Sequence, residues 1–365
     1  MDPRLVAISD DLHRRVQRFA AGDRSETFGE LALALARYQA EASPGMRRLL
    51  RARGRELRGL DDIPAVPSDA FRLSRVATFP AELDRLRFFT SGTTGSERGL
   101  HAMRRADTYE KLSLAFGRRA LLGDREGARA VVLALAPQPS EPPTSSLGYM
   151  MARFMESFDG QRLDLEEAAF DVASPARWLF SERGVDLLGL KRAVSAAHAR
   201  QQPVLLLGTA FAFVTLLDDP SALQLALPPG SVVMQTGGFK GRTREVSMAA
   251  LRDGLSAILD VTPEQVVGEY GMTELTSQLY ELTPGIYFEP PWLRVAPVDP
   301  VDLTPVVDGE IGLARFTDLG NVDSAVCVVT QDLVRRVGDG VELLGRQPGA
   351  TPRGCSLAIE ALLHG

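Results

Sequence analysis

Thr90-Ser91-Gly92-Thr93-Thr94-Gly95-Ser96-Glu97-Arg98-Gly99 follows a short apolar run at 87–89 that reads as a strand. Three glycines let the backbone turn sharply and come close to a ligand. Successive backbone N–H groups in such a loop form a cradle for anions. The hydroxyls of Thr90, Ser91, Thr93 and Thr94 add donors for phosphate oxygens, and Arg98 adds a fixed positive charge. No G-x-x-x-x-G-K-[ST] pattern occurs, so this is not a Walker loop. The competing reading is a flexible Ser/Gly loop. Hydroxyl density and the strand in front favour a phosphate-binding loop.

Around this loop the chain alternates. Apolar runs at 130–136, 204–207 and 232–234 read as buried strands. Between them lie helical stretches near 105–122, 147–158, 186–201 and 245–259. Strands alternating with helices predict parallel βαβ construction. Upstream, residues 1–60 look helical, with Leu31, Leu35 and Tyr38 at helical spacing before Pro64, Pro67 and Ser68 break the pattern. Beyond 285 the helices thin out. Segments 311–317, 325–330 and 333–344 read as strands and hairpins, with a turn at Gly338-Asp339-Gly340. The expected fold is α/β: a helical region at 1–85 packed on the core, an α/β nucleotide- and acyl-binding core at 86–284, and a β-rich subdomain with a C-terminal tail at 285–365. The three together form one continuous catalytic unit.

Composition narrows the function. The 365 residues are 45% hydrophobic and 24% charged, ordinary for a globular protein. The formal net charge is −6, and acidic residues interleave with the arginines, which argues against a nucleic-acid partner. The apolar runs are too short to span a bilayer. With two cysteines, no secretory signal and no disulfide framework, a reducing cytoplasm is the expected setting. Four scattered histidines give no metal-ligand spacing. Any metal should be a hard cation that arrives with a phosphate.

Two further stations follow in order. Gln235-Thr236-Gly237-Gly238-Phe239-Lys240 comes just after the strand at 232–234, and Gly268-Glu269-Tyr270-Gly271-Met272-Thr273-Glu274 comes after another apolar run. Together with the first loop they resemble the adenylate-forming superfamily of acyl-CoA synthetases, adenylation domains and firefly-type luciferases. In that superfamily the first loop usually ends Lys-Gly; Arg98 stands at the lysine position. The resemblance implies ATP and Mg²⁺ as cofactors and the large N-terminal-type domain of these enzymes, with mixed and parallel sheets flanked by helices. It assigns Thr90 to Gly95 to the triphosphate and the Gly237-Gly238 turn to adenine. The Tyr270 ring suits stacking on a flat base, Gly271 close backbone passage, Thr273 the α-phosphate and Glu274 the Mg²⁺. Asp332 matches the ribose-binding aspartate, with Gln331 where a glycine is usual, and Arg346 the arginine near ribose and phosphate. For Asp332 a turn residue before a hairpin is the alternative.

The resemblance also implies a full mobile C-terminal domain, which is expected to be absent here. Lys240 is then the candidate to replace part of that domain's lysine, against the plainer reading of a surface lysine. The end of the chain, Gly345-Arg346-Gln347-Pro348-Gly349-Ala350-Thr351-Pro352-Arg353-Gly354-Cys355-Ser356-Leu357, resembles acyl-protein synthetases of the LuxE type. That branch implies activation of a carboxylic, most typically fatty, acid to acyl-AMP. Transfer to an enzyme thiol follows, for delivery to a partner acyl reductase, and Cys355 occupies the acceptor position. A short ligase that acylates CoA, a carrier protein or an amine is the alternative. Arg353 and Arg346 near a flexible tail would favour the Cys355 thiolate; a small buried hydrophobe is the other fate open to it. Cys327, in an apolar strand, reads as core.

Overall fold

The computed structural model describes residues 1–54, 56–90, 98–123, 128–159, 177–222, 225–237, 246–349 and 351–364. Four strands, Val131–Leu135, Val204–Thr209, Val232–Thr236 and Val266–Tyr270, lie side by side and parallel. They read as unbroken apolar runs because helices cover both faces. Along Val131–Leu135 the side chains alternate: Val131, Leu133 and Leu135 enter one core, Val132 and Ala134 the other. Helices Leu187–Ala199, Ala210–Leu217 and Met248–Leu259 cover the first face. Helices Ala106–Leu122 and Ser146–Phe158, with the N-terminal helices Pro3–Ala20, Phe28–Ala42 and Pro44–Arg53, belong to the second core. Each fully buried aliphatic side chain contributes roughly 1.5–3 kcal/mol.

The sheet then turns antiparallel. Val266–Tyr270 pairs with Leu279–Thr283, which pairs with Ile286–Phe288, which meets Gly340–Arg346 through Tyr287 and Val341. Cys327–Val337, Ile311–Asp318 and Leu293–Val298 continue the ladder. Strands on both sides of residue 285 therefore share one sheet. The short strand Val66–Pro67 joins it too, parallel to Val328 and Val329. A buried polar cluster ties the N-terminal helices down: Ser9, His13, Tyr38 and Arg104 all converge on Asp323.

Three expectations are corrected. The strand in front of the Gly/Thr loop, Leu86–Phe89, lies in an antiparallel hairpin with Leu100–Met103 rather than in the large sheet. The strand expected at 325–330 and the first arm of the hairpin expected at 333–344 are one strand, Cys327–Val337, and the turn expected at 338–340 leads to its partner Gly340–Arg346. Polar Gln331 and Asp332 interrupt the apolar run, but the register shift opposite Leu313 to Arg315 takes them up without breaking the ladder. The tail expected to be flexible forms the helix Arg353–His364. Cys355, Ala358 and Leu362 are spaced three and four apart and are buried on one face. Arg48 Nη2 donates to the terminal carbonyls of Leu362 (2.5 Å) and Leu363 (3.2 Å), which lie too near the helix end to find a donor within it. No helix among the described residues is long and apolar enough to cross a membrane.

Candidate active site

A cavity of about 580 Å³ opens at the carboxyl ends of the parallel strands. Thr236 and Gly237 close one strand and Glu269 and Tyr270 the next, and all four line it. Ligands of open α/β sheets bind at this end because strand ends and glycine turns expose backbone there. Of the expected site residues, Thr90, Gly237, Tyr270, Gly271, Thr273, Glu274, Asp332 and Arg346 line the same cavity. Ser91, Gly92, Thr93, Thr94, Gly95, Gly238 and Lys240 lie outside the described residues. Arg98 is exposed and is not among the lining residues.

The ends of the Gly/Thr loop are fastened to each other. Thr90 N–H donates to the Gly99 carbonyl at 2.9 Å, and Gly99 N–H donates to Thr90 Oγ1 at 2.8 Å. The Thr90 hydroxyl is thus engaged in closing the loop. Arg72, which carries no sequence signal of its own, lines the cavity and supplies a cation there.

Tyr270 is set from two sides. Its ring stacks on Phe316, with centroids 5.7 Å apart and planes 12° off parallel. Its hydroxyl donates to Asp332 Oδ2 at 2.7 Å. Burial first, and the Asp332 charge second, push the phenol far above its ordinary value, so it stays a donor. One ring face is taken by Phe316. Asp332 faces Arg346 across the ladder, at the register shift. It is a mid-strand residue, not the turn residue of the alternative reading.

After Tyr270 the chain makes a turn, not a helix. His101 is buried beside it: Nδ1 lies 2.7 Å from the Thr273 carbonyl and Nε2 3.0 Å from Ser324 Oγ. A carbonyl only accepts, so Nδ1 carries the proton and Nε2 accepts from Ser324. Burial lowers the imidazole to about 4, partly offset by the bond to Thr273, so the ring is a neutral strut. Asn321 Nδ2 holds the Glu274 carbonyl at 3.0 Å. The Glu274 carboxylate itself takes no side-chain hydrogen bond among the described residues. Burial raises it to about 7, with help from the charges of Asp69 and Asp332 and against that of Arg346. A buried carboxylate short of positive partners, in a phosphate-sized cavity, fits a single-carboxylate Mg²⁺ ligand. Among the described residues no group of three or more metal-type side chains exists, so other ligands would come from phosphate and water.

Glu269 and Thr236 are site residues that the motifs do not single out, although Glu269 is visible as a charge inside an apolar strand end. Both face the cavity, and the Thr236 hydroxyl donates to Glu269 Oε2. Burial raises this carboxyl too, to about 7. Gly271 makes room for it: a Cβ there would sit 2.5 Å from Glu269 Oε1. Of the helix Ser146–Phe158, Leu147 and Met150 line the cavity, while Tyr149, Met151, Phe154 and Met155 are core.

Cys355 departs most from expectation. It is 2% exposed, on the inner face of the last helix, and does not line the cavity. Burial, then the Asp69 charge, push its thiol up to about 11, the reverse of activation by Arg353 and Arg346. Asp69 is also a cavity wall residue, held by Gln331 Nε2 at 3.0 Å. The thiol is therefore close enough to Asp69 to feel its charge. Cys327 is fully buried core, as expected, beside Arg315 Nε at 3.1 Å.

Comparison with known proteins agrees with the motifs. The chain is 24% identical over 321 residues to the long-chain-fatty-acid–luciferin-component ligase of Vibrio harveyi, covering 84% of this chain and 79% of that one. It is 22% identical over 325 residues to the ligase of the same name from Aliivibrio fischeri, covering 84% and 80%. Its fold is similar to an open conformation of 2-hydroxyisobutyryl-CoA ligase in complex with 2-HIB-AMP and CoA, with a TM-score of 0.61 and 15% identity over 89% of this chain and 76% of that one. At that identity the likeness speaks for the fold, which is the one expected from the resemblance to adenylate-forming enzymes. A family profile described as acyl-protein synthetase, LuxE, matches residues 56–363. The chain belongs to the LuxE family of acyl-protein synthetases.

Proposed function

We propose that this chain uses ATP to activate a carboxylic acid as its acyl-AMP and then passes the acyl group to a thiol. The observation that carries the reading is the single cavity that gathers Thr90, Tyr270, Glu274, Asp332 and Arg346 at the strand ends. A carboxylate oxygen of the acid attacks the α-phosphorus, the bond to the bridging oxygen breaks, and pyrophosphate leaves. Asp332, fixed by Tyr270, accepts from the ribose hydroxyls. Thr273, whose carbonyl is fixed by His101, presents its hydroxyl to the α-phosphate. Arg346 and Arg72 offset the charge that builds between the two anions, and Lys240 is proposed to join them. Glu274 would hold Mg²⁺, which supplies charge neutralisation on the phosphates when bound. The triphosphate is assigned to Thr90 to Gly95, with Arg98 at its end, and adenine to the Gly237-Gly238 turn.

In the second step a thiolate sulfur attacks the acyl carbon and AMP departs with the electron pair. Cys355 is the proposed acceptor; the relatives' name supports a fatty acid, and a partner acyl reductase is proposed to receive the acyl group. Burial of Cys355 favours a second reading at this step only, in which CoA, a carrier protein or an amine takes the acyl group. The experiment is an acid panel in ATP–pyrophosphate exchange, followed by intact mass. A Cys355 adduct removed by neutral hydroxylamine supports the first reading. Exchange with no adduct, together with acylation of an added thiol, supports the second. No exchange with any acid refutes both.

A further inference from the structure

The cavity lined by Leu147 and Met150 also takes in a charged side chain. Glu269, 4% exposed and near the end of a central strand, lines it with them. Thr236 donates to its Oε2, while Oε1 has no hydrogen-bond partner among the described residues. No cation pairs with Glu269 among those residues, since Arg252, the buried guanidinium in this layer, is bound to Glu281. Gln278, which also lines the cavity, adds a second polar side chain. A carboxylate oxygen that loses its water without gaining a partner costs more than an ordinary hydrogen bond returns. Filling this space with methylenes would strip water from Oε1 and put nothing in its place. The arrangement is also guarded: a side chain at Gly271 would collide with the oxygen.

We propose that Glu269 and Thr236 form a polar subsite for the acid, which carries an O–H or N–H donor, a hydroxyl or amino substituent, on the part that enters beside Met150. This rests on the adenylating function proposed above and narrows its substrate class. The donor binds Glu269 Oε1, and its carbon frame packs on Tyr109, Leu147 and Met150. Discrimination then comes from an acceptor that the wrong substrate leaves unsatisfied, the strongest kind of selection available to a pocket.

The test is ATP–pyrophosphate exchange with matched acids: unsubstituted aliphatic and aromatic acids, and their hydroxy and amino counterparts. Wild type is expected to favour a donor-bearing acid over its unsubstituted match by about ten-fold or more in kcat/KM. Glu269→Met should reduce that preference to about two-fold or invert it. Glu269→Gln should keep more of the preference for hydroxyl than for amine, because the amide retains an acceptor but not the charge; preferences for both unchanged from wild type overturn the proposal. Melting temperatures report folding of the variants, and the wild-type panel stands without them. Preference of wild type for unsubstituted acids overturns this inference and leaves adenylation intact. Discrimination unchanged by Glu269→Met in a folded protein overturns it as well. Exchange with no acid at all removes the adenylating function and this inference with it.

Discussion

The Tyr270 hydroxyl donates to Asp332 at 2.7 Å, joining the end of a parallel strand to the middle of an antiparallel one. The residue proposed to pack beside the base thereby also aims the residue proposed for the ribose. Tyr270→Phe keeps the ring on Phe316 and loses only this bond. It should raise KM for ATP by roughly five- to ten-fold, about 1–1.4 kcal/mol, with kcat little changed. Asp332→Ala should do the same and also narrow the preference for ATP over 2′-deoxy-ATP. Steady-state kinetics with both nucleotides check this, and equal discrimination in wild type and Asp332→Ala would refute the ribose assignment.

Glu274 is expected to answer to a different ligand. Glu274→Gln should slow pyrophosphate exchange at low Mg²⁺ by about ten-fold or more and recover part of it at high Mg²⁺, because a weaker ligand is offset by mass action. Asp332→Ala should show no such recovery. A Mg²⁺ titration of both variants decides between separate and shared roles.

The two buried carboxyls predict a stability gain from losing function. Glu269 and Glu274 both have folded values of about 7, above the ordinary 4.5. A raised carboxyl destabilises the fold where both states are ionised, above pH 7, and the cost disappears below pH 4.5, where both are protonated. A ten-fold change in proton affinity is worth about 1.4 kcal/mol, so Glu269→Gln or Glu274→Gln should stabilise the ligand-free protein by on the order of 2–3 kcal/mol at pH 8. Near pH 4.5 the gain should shrink toward zero. Denaturant melts of wild type and variants at the two pH values measure it, and a pH-independent difference would contradict the burial argument.

Cys355 should be unreactive at rest. A thiol raised to about 11 is thiolate in roughly one molecule per thousand at pH 8, so alkylation should run on the order of a hundred-fold slower than for a free cysteine. Arg48→Ala removes the bonds to Leu362 and Leu363 and should speed alkylation by loosening the last helix. With ATP, Mg²⁺ and a good acid, Cys355→Ser should lose any acyl adduct yet keep exchange, and Cys327→Ser should retain both. Fast alkylation of resting wild type would mean that the helix does not shield the sulfur.

Much of the site is legible in the sequence because its chemistry is local. Glycine, hydroxyl and carboxylate residues cluster at strand ends, and a strand end is visible as the last residue of an apolar run. Tyr270, Thr273 and Glu274 stand out in that way. Asp69 and Arg72 do not, since they sit at a four-residue helix with no apolar period of its own, and only the pairing of Val66–Pro67 with the distant strand brings them to the cavity. The tail misleads for a related reason. Gly345, Pro348, Gly349, Pro352 and Gly354 suggest a loop, while the helix beyond them is decided by packing against Pro44–Arg53. Local composition carries no trace of a partner some three hundred residues away.

The register shift at Asp332 bears on which sequence changes this family can survive. Point substitutions on the strand Cys327–Val337 leave the pleat intact and alter one side chain at a time. The surplus residue lies on the partner strand, where three steps from Arg346 to Leu343 answer two from Asp332 to Val334; removing one residue between 343 and 346 would restore a regular ladder, whereas removing Leu333 would turn one flank of Cys327–Val337 over, because side chains alternate with a period of two. Either Asp332 would then leave the cavity or Val334 would leave the core. Insertions and deletions should accordingly fall in the turn at 338–339 and be absent between Asp332 and Val334, so that strand length here is fixed more firmly than residue identity.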